Sequence, residues 1–277
     1  MSQNVYDGVI DIQAENSRLR RQHELIKCFC NGLIKAPIDS TKEGQRVLDS
    51  ATADGIWMRD AQLTMPPSTE FLGFDIIPQD EVCADLLLAP NIKYQVQNVL
   101  EPFPPEWKNS FDLVHQRLLL VLFPDADVVQ ILRRLVECVK PGGWIQLFEG
   151  DGTKSLFDPR AGHFETFYHI AELNLKSPEV GRYLNDYLHE AGMINVWHEE
   201  VDFEIGALNP DRELSIKACE NIASIVNTVK GMPSLDSMGL SKEAWDDLPK
   251  NIEKDLRTYK AAMRYHIVWA QKPLSAV

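Results

Sequence analysis

Asp49, Asp75, Asn98, His115 and Glu149 each stand where a short apolar run gives way to a loop. Carboxylates and amide oxygens in such places accept hydrogen bonds from hydroxyls and ammonium groups, and an imidazole can take a proton near neutral pH. Residues 46–59, R-V-L-D-S-A-T-A-D-G-I-W-M-R, add a second feature. Val47 and Leu48 lead to Asp49, small residues follow, and Gly55 precedes a helix-like segment. That is the outline of a strand, a tight phosphate- or nucleoside-holding turn and a helix N-terminus. Ala51 and Ala53 occupy two of the three positions where such loops carry glycine. Each adds a methyl where the backbone turns tightly or approaches a ligand; alanine is the smallest such departure, and binding is expected to survive if neither position needs positive φ.

The elements that would position these residues follow from hydrophobic period. Residues 1–14 read as a mobile arm, after which Leu19, His23, Ile26, Cys30 and Leu33 recur at spacings of four and three, one face of a helix. Val47-Leu48 opens a first strand, residues 56–63 a helix, and 70–74 a buried strand ending at Asp75, about twenty residues beyond Gly55. An acid at that offset accepts hydrogen bonds from ribose hydroxyls in nucleoside-binding α/β folds. Residues 92–96 give a third strand, 111–115 a fourth, 125–140 a helix, Pro141-Gly142-Gly143 a turn and 144–148 a fifth strand. Strands alternating with helices predict a mostly parallel sheet with right-handed crossovers and a ligand crevice at the carboxyl ends of the strands. Trp57, Trp144 and Trp269 read as core aromatics.

Beyond the fifth strand, 162–175 carries His163, Phe164, Phe167, Tyr168 and His169 at helical spacing, and 178–191 a further helix before a strand at 194–201. Leu214, Ala218, Ile222, Ile225 and Val229 make one stripe; Trp245, Leu248, Ile252, Leu256 and Tyr259 make another, with Ser241 as N-cap. The chain returns to the sheet at 265–270. The expected organisation is an N-terminal arm and helices over 1–40, a Rossmann-like core over 41–205, a helical cap over 206–262 and the final strand over 263–277. Such a cap shapes an apolar pocket for a small molecule.

Composition narrows the class. The 277-residue chain carries a formal net charge of −13, which repels nucleic acid and anionic membranes. No apolar run approaches the roughly 18 residues that span a bilayer, and the start is polar and acidic, so a cytoplasmic location is expected. Cys28, Cys30, Cys83, Cys138 and Cys219 lack zinc-ligand spacing and read as reduced, packed thiols; no metal is expected.

The succession Val47-Leu-Asp49, Gly55-Ile-Trp57, Gly73-Phe-Asp75-Ile-Ile-Pro78-Gln79, Phe111-Asp-Leu-Val-His115 and Val139-Lys-Pro-Gly-Gly-Trp144 resembles the class I S-adenosylmethionine-dependent methyltransferases. With Arg20-Arg-Gln-His23, Ala36-Pro-Ile38 and the closing residues 265–273, it is similar to their fungal secondary-metabolite branch, which also contains a regulator of secondary metabolism. The resemblance implies a seven-stranded Rossmann-like α/β fold and S-adenosylmethionine as cofactor. It implies that Asp49, Ser50, Ala51, Thr52 and Gly55 line the methionine part, Asp75 holds the ribose, Ile76 covers the adenine, and Asn98 and Val99 flank it. His115 would stand at the reactive end as the candidate base, with His163, Phe167 and His169 as candidate substrate-pocket residues. A small-molecule substrate is the implied partner, with a homodimer open as the assembly. Three readings stand: methyl transfer to an O, N or S atom of a secondary metabolite, a non-catalytic cofactor-binding regulator, or non-methyl-transfer chemistry in the same fold.

Overall fold

The computed structural model describes residues 12–78, 89–229 and 238–274. Gln79, Cys83, residues 1–11, residues 230–237 of the expected cap and the side chain of Val229 lie outside the described residues. The segment 12–14, expected in the arm, is already helical, because α1 runs Ile12–Phe29.

Seven strands form one sheet: β1 Arg46–Ser50, β2 Glu70–Asp75, β3 Ile92–Val96, β4 Phe111–Arg117, β5 Val139–Phe157, β6 Ile194–Gly206 and β7 Lys260–Gln271, in the order β3-β2-β1-β4-β5-β7-β6. β1 to β5 are mutually parallel where they pair, and β7 runs antiparallel between β5 and β6. The order reverses at β1 and β4, so their carboxyl ends form the switch point where a crevice opens. β5 starts earlier than expected, at Val139. Pro141-Gly142-Gly143 is therefore an irregular step within the strand, and the β4–β5 register shifts between Phe111 and Leu113. Gly143 is required there, since a Cβ would lie 3.0 Å from the Asp112 carbonyl.

Alternation along β1 and β4 divides the core. Leu48 and Val114 face the helices α3 (Asp125–Cys138) and α5 (Val180–Glu190), meeting Ile131, Leu135, Leu184 and Leu188. Val47 and Leu113 face the other way, onto Trp57 and Met58 of α2 (Ile56–Ala61). α3 forms because Val128, Ile131, Leu132, Leu135 and Val136 share a face while Asp125 and Asp127 favour its positive end. Each such side chain is worth about 1.5–3 kcal/mol on burial.

The last three strands extend beyond the others: Ser155–Phe157 of β5 and Phe203–Ile205 of β6 both pair with residues 261–263 of β7. Helices α4 (Gly162–Asn174), α6 (Arg212–Val229) and α7 (Lys242–Thr258) pack with α1 over this extension. Ser241 caps α7, accepting a hydrogen bond from the Ala244 N–H at 3.2 Å. No helix among the described residues is long and apolar enough to cross a membrane.

Candidate active site

The loop after β1 is built from its own backbone. The Thr52 N–H donates to the Phe74 carbonyl at 3.0 Å, Gly55 N–H to Thr52 O at 2.9 Å, and Ala53 N–H to Asp75 Oδ2 at 3.0 Å. This fold holds Ala51 at φ 52° and Ala53 at φ 49°, with Gly55 at φ 72°. The condition placed on the alanines is thus not met: both sit in the left-handed region that glycine normally fills, and the chain tolerates the strain. Gly73 lets the loop lie against β2, because a Cβ there would fall 2.7 Å from Thr52 Cγ2.

Parallel register sets Asp49 beside His115 and His115 beside Gln146, one row across three strands. Asp49 is 3 % exposed, and both carboxylate oxygens are used: His115 Nδ1–H donates to Oδ1 at 2.7 Å and Thr52 Oγ1 to Oδ2 at 2.5 Å. His115 lies flat on Trp57, ring centroids 3.8 Å apart and planes 4° from parallel. Trp57 is therefore both core and platform. Burial is the largest influence on His115 and lowers its pKa, partly offset by Asp49. Burial thus favours the neutral imidazole, and donation from Nδ1 to Asp49 would leave Nε2 as the proton-accepting nitrogen, the form a base requires.

Arg117, two residues on, shares the face of His115 and lines the same small cavity with Ile26, Lys35 and Phe148. Its guanidinium donates to His23 Nδ1 at 3.1 Å, and His23 Nε2–H donates to Asp60 Oδ2 at 3.0 Å. α1 is fastened to the loop after β1 by Arg20 Nε to Asp54 Oδ2 at 2.7 Å, and to α2 by Lys27 Nζ to Asp60 Oδ2 at 2.6 Å. Gln146 Oε1 accepts the N–H groups of Lys35 and Ala36 at 2.6 and 3.0 Å, which pins the connector behind α1. Arg20, His23, Asp54, Arg117 and Gln146 were not picked out as site residues from the sequence. The two-residue alternation past His115 was the signal for Arg117.

Other expected residues distribute unevenly. Asp75 ends β2 with its oxygens taking the Ala53 and Ile77 N–H groups, and burial raises its pKa; Ile76 beside it is 37 % exposed. Asn98 Oδ1 already accepts the Leu100 N–H at 2.9 Å, leaving one lone pair, and the Val99 side chain is in the core. Glu149 points away from His115, accepting from Gln116, Leu119 and Leu120. Phe167 is buried in the core beside Phe164. His163, at the α4 start, donates from its backbone to Asp255 of α7 at 2.8 Å. The His169 side chain is 74 % exposed and pairs with Glu172. His198, Glu200 and His266, distant in sequence, are brought together across β6 and β7. Glu200 there pairs with Arg264.

A loop closed over β1, an acid ending β2 and this strand order form a Rossmann-like nucleoside-binding crevice. A methyltransferase-domain model matches residues 47–143. The chain is 35 % identical over 267 residues to the N-methyltransferase verN of Clonostachys rogersoniana, covering 94 % of this chain and 91 % of that one. It is 31 % identical to the N-methyltransferase gliN of Aspergillus fumigatus, covering 94 % of each. The Haemonchus contortus phosphoethanolamine N-methyltransferase 2, solved with S-adenosyl-L-methionine, shares the fold at TM-score 0.56 and 17 % identity, over 95 % of this chain and 56 % of that one. The chain belongs to the S-adenosylmethionine-dependent methyltransferases, in the fungal secondary-metabolite branch. It is an enzyme of methyl transfer.

The residues present fit the cofactor. Ser50 Oγ is buried without a partner among the described residues, at the start of the loop. Asp75 is a half-buried carboxylate with spare lone pairs, and hydroxyl donors would stabilise its ionised form.

Proposed function

We propose that the enzyme methylates a nitrogen of a small-molecule secondary metabolite. The observation that carries this reading is the neutral His115, held by Asp49 and stacked on Trp57 between the cofactor loop and the cavity beneath α1. Bound S-adenosylmethionine supplies a sulfonium-activated methyl. Asp75 would hold the ribose hydroxyls, the backbone of 50–55 with Ser50 Oγ the methionine part, and Ile76 the adenine face. Asn98 would receive the adenine amino group through its remaining lone pair, beside the Val99 backbone.

The chain's own work is then placement and proton handling. Aligning an acceptor about 3 Å from the methyl contributes several kcal/mol. A weakly basic N–H must lose its proton as it attacks, and His115 Nε2 is the acceptor available. The imidazolium so formed gains from the Asp49 carboxylate and the Trp57 face. Nitrogen is favoured over oxygen or sulfur by the N-methyltransferase names of the relatives. Helices α6 and α7, of the expected cap, would serve as its cover over the substrate, together with α1 and α4. Incubation with methyl-labelled cofactor and metabolite extract, followed by NMR of the product, tests this. An N–CH3 resonance is expected; a labelled O–CH3 or S–CH3 product alone contradicts the nitrogen assignment.

A further inference from the structure

Two small cavities lie beneath α1. One reaches His115 and Arg117; the other is walled by Phe29 of α1, Phe203 of β6, Tyr265 of β7 and Asn221 of α6. Ile26 lines both, and Phe148 of the first stacks on Tyr265 of the second at 5.1 Å, so the two are neighbours across these side chains. The walls of the second are aromatic. Phe29 and Phe203 stack at 4.3 Å, and Phe203 and Tyr265 are also 4.3 Å apart. Among the described residues no charged side chain lines it.

Gln22 and Asn221 break the apolar pattern, and the buried one of the two is Asn221. It is 4 % exposed, and its Oδ1 has no hydrogen-bond partner among the described residues. Folded proteins pair nearly all buried acceptors, so an unpaired one in a cavity wall calls for a ligand or water. Of the first cavity's two cations, Lys35 pairs with Glu199 at 3.7 Å and Arg117 donates to His23 Nδ1 at 3.1 Å. The second cavity offers a charged substrate no counter-ion among the described residues.

We propose that the second cavity is the far half of the substrate chamber, and that Asn221 Oδ1 accepts a hydrogen bond from an N–H or O–H of an uncharged, apolar-bodied substrate. This rests on the reading of the protein as a small-molecule methyltransferase, and it deepens that reading by naming the substrate class. The methyl-accepting end lies toward His115 and the donor end toward Asn221, so Ile26 turns aside when the chamber fills. Burial keeps the Tyr265 hydroxyl protonated, and it donates to the Met263 sulfur at 3.9 Å, a weak acceptor that a ligand can replace.

Indole and benzofuran test this, because they share a bicyclic shape and differ in one N–H donor. Their affinities for the full chain and for Asn221→Leu are measured by ligand-observed NMR. The expected result is indole bound at least tenfold more tightly than benzofuran by the unsubstituted protein, with that preference lost in Asn221→Leu. Equal affinities in the unsubstituted protein, a preference surviving in Asn221→Leu, or no binding of either probe overturns the proposal. Should Asn221→Leu not fold, the comparison in the unsubstituted protein decides alone. Calorimetry with S-adenosylhomocysteine on the same samples separates the two failures. Cofactor binding without an indole preference removes the chamber assignment only, whereas absent cofactor binding removes the methyltransferase reading beneath it.

Discussion

Ala51 and Ala53 are where single residues say most. A left-handed φ costs an alanine about 1–2 kcal/mol, whereas glycine there adds roughly 0.5–1 kcal/mol of unfolded-chain entropy. Ala51→Gly and Ala53→Gly are each expected to raise stability slightly, by about 0.5 kcal/mol, readable as a higher melting temperature; a loss of stability contradicts the strain. His115→Ala is expected to lower kcat by about 10²–10⁴-fold, the usual range for a lost base. Its pH profile should also lose the acid limb. An unchanged kcat would mean the acceptor sheds its proton elsewhere. Asp49, Asp75 and His115 were legible because each ends an apolar run. Trp57 was not legible as a platform, since nothing in its neighbours marks which face of α2 meets His115. Arg117 was not legible because a half-buried arginine at a strand end looks in sequence like any solvated one.

Among the elements, α1 does more than its period suggested. Its apolar face packs on α6 and the sheet, while Arg20, His23 and Lys27 hold Asp54 and Asp60 around the cofactor loop. Arg20 is half-exposed and Asp54 keeps Arg59, so Arg20→Ala is expected to cost little stability, within about 1 kcal/mol. Its consequence is a measurable weakening of cofactor binding through a looser loop. The bend from β6 into α6 depends on Gly206, at φ 62° with the site of a Cβ 1.9 Å from the Leu256 carbonyl. Gly206→Ala is therefore expected to destabilise by about 3 kcal/mol, near the top of the range for overpacking. Denaturant titration checks it. Strand and helix identities were readable from period 2 against period 3.6. The long extensions of β5, β6 and β7 were not, because their pairing partners lie up to about a hundred residues away and Gly150–Ser155 interrupts the register.

At the scale of the molecule, buried titratable groups set the pH response. Burial lowers the pKa of His23, His115 and His266, so the native state binds fewer protons than the unfolded chain below about pH 6.5. Stability from these groups is present above that pH and is lost as pH falls through the window down to their folded values. Glu149 works in the opposite sense. Burial raises its pKa to about 7, so its contribution is full below the unfolded carboxyl value and is lost as pH rises through about 7. Glu149→Gln keeps the oxygen that accepts from Gln116, Leu119 and Leu120. Its stability relative to the unsubstituted protein is expected to improve from pH 5 to pH 8 in thermal melts; a flat difference contradicts an ionising buried acid. The whole depends, finally, on the strained loop closing over S-adenosylmethionine with Asp75 on its ribose. Calorimetric titration of S-adenosylhomocysteine into the unsubstituted protein and Asp75→Ala measures this most directly. The account predicts saturable one-to-one binding that Asp75→Ala weakens by about 2 kcal/mol, the scale of a lost hydrogen bond to a charged group. No heat at millimolar ligand, or equal affinity in the two proteins, would contradict it.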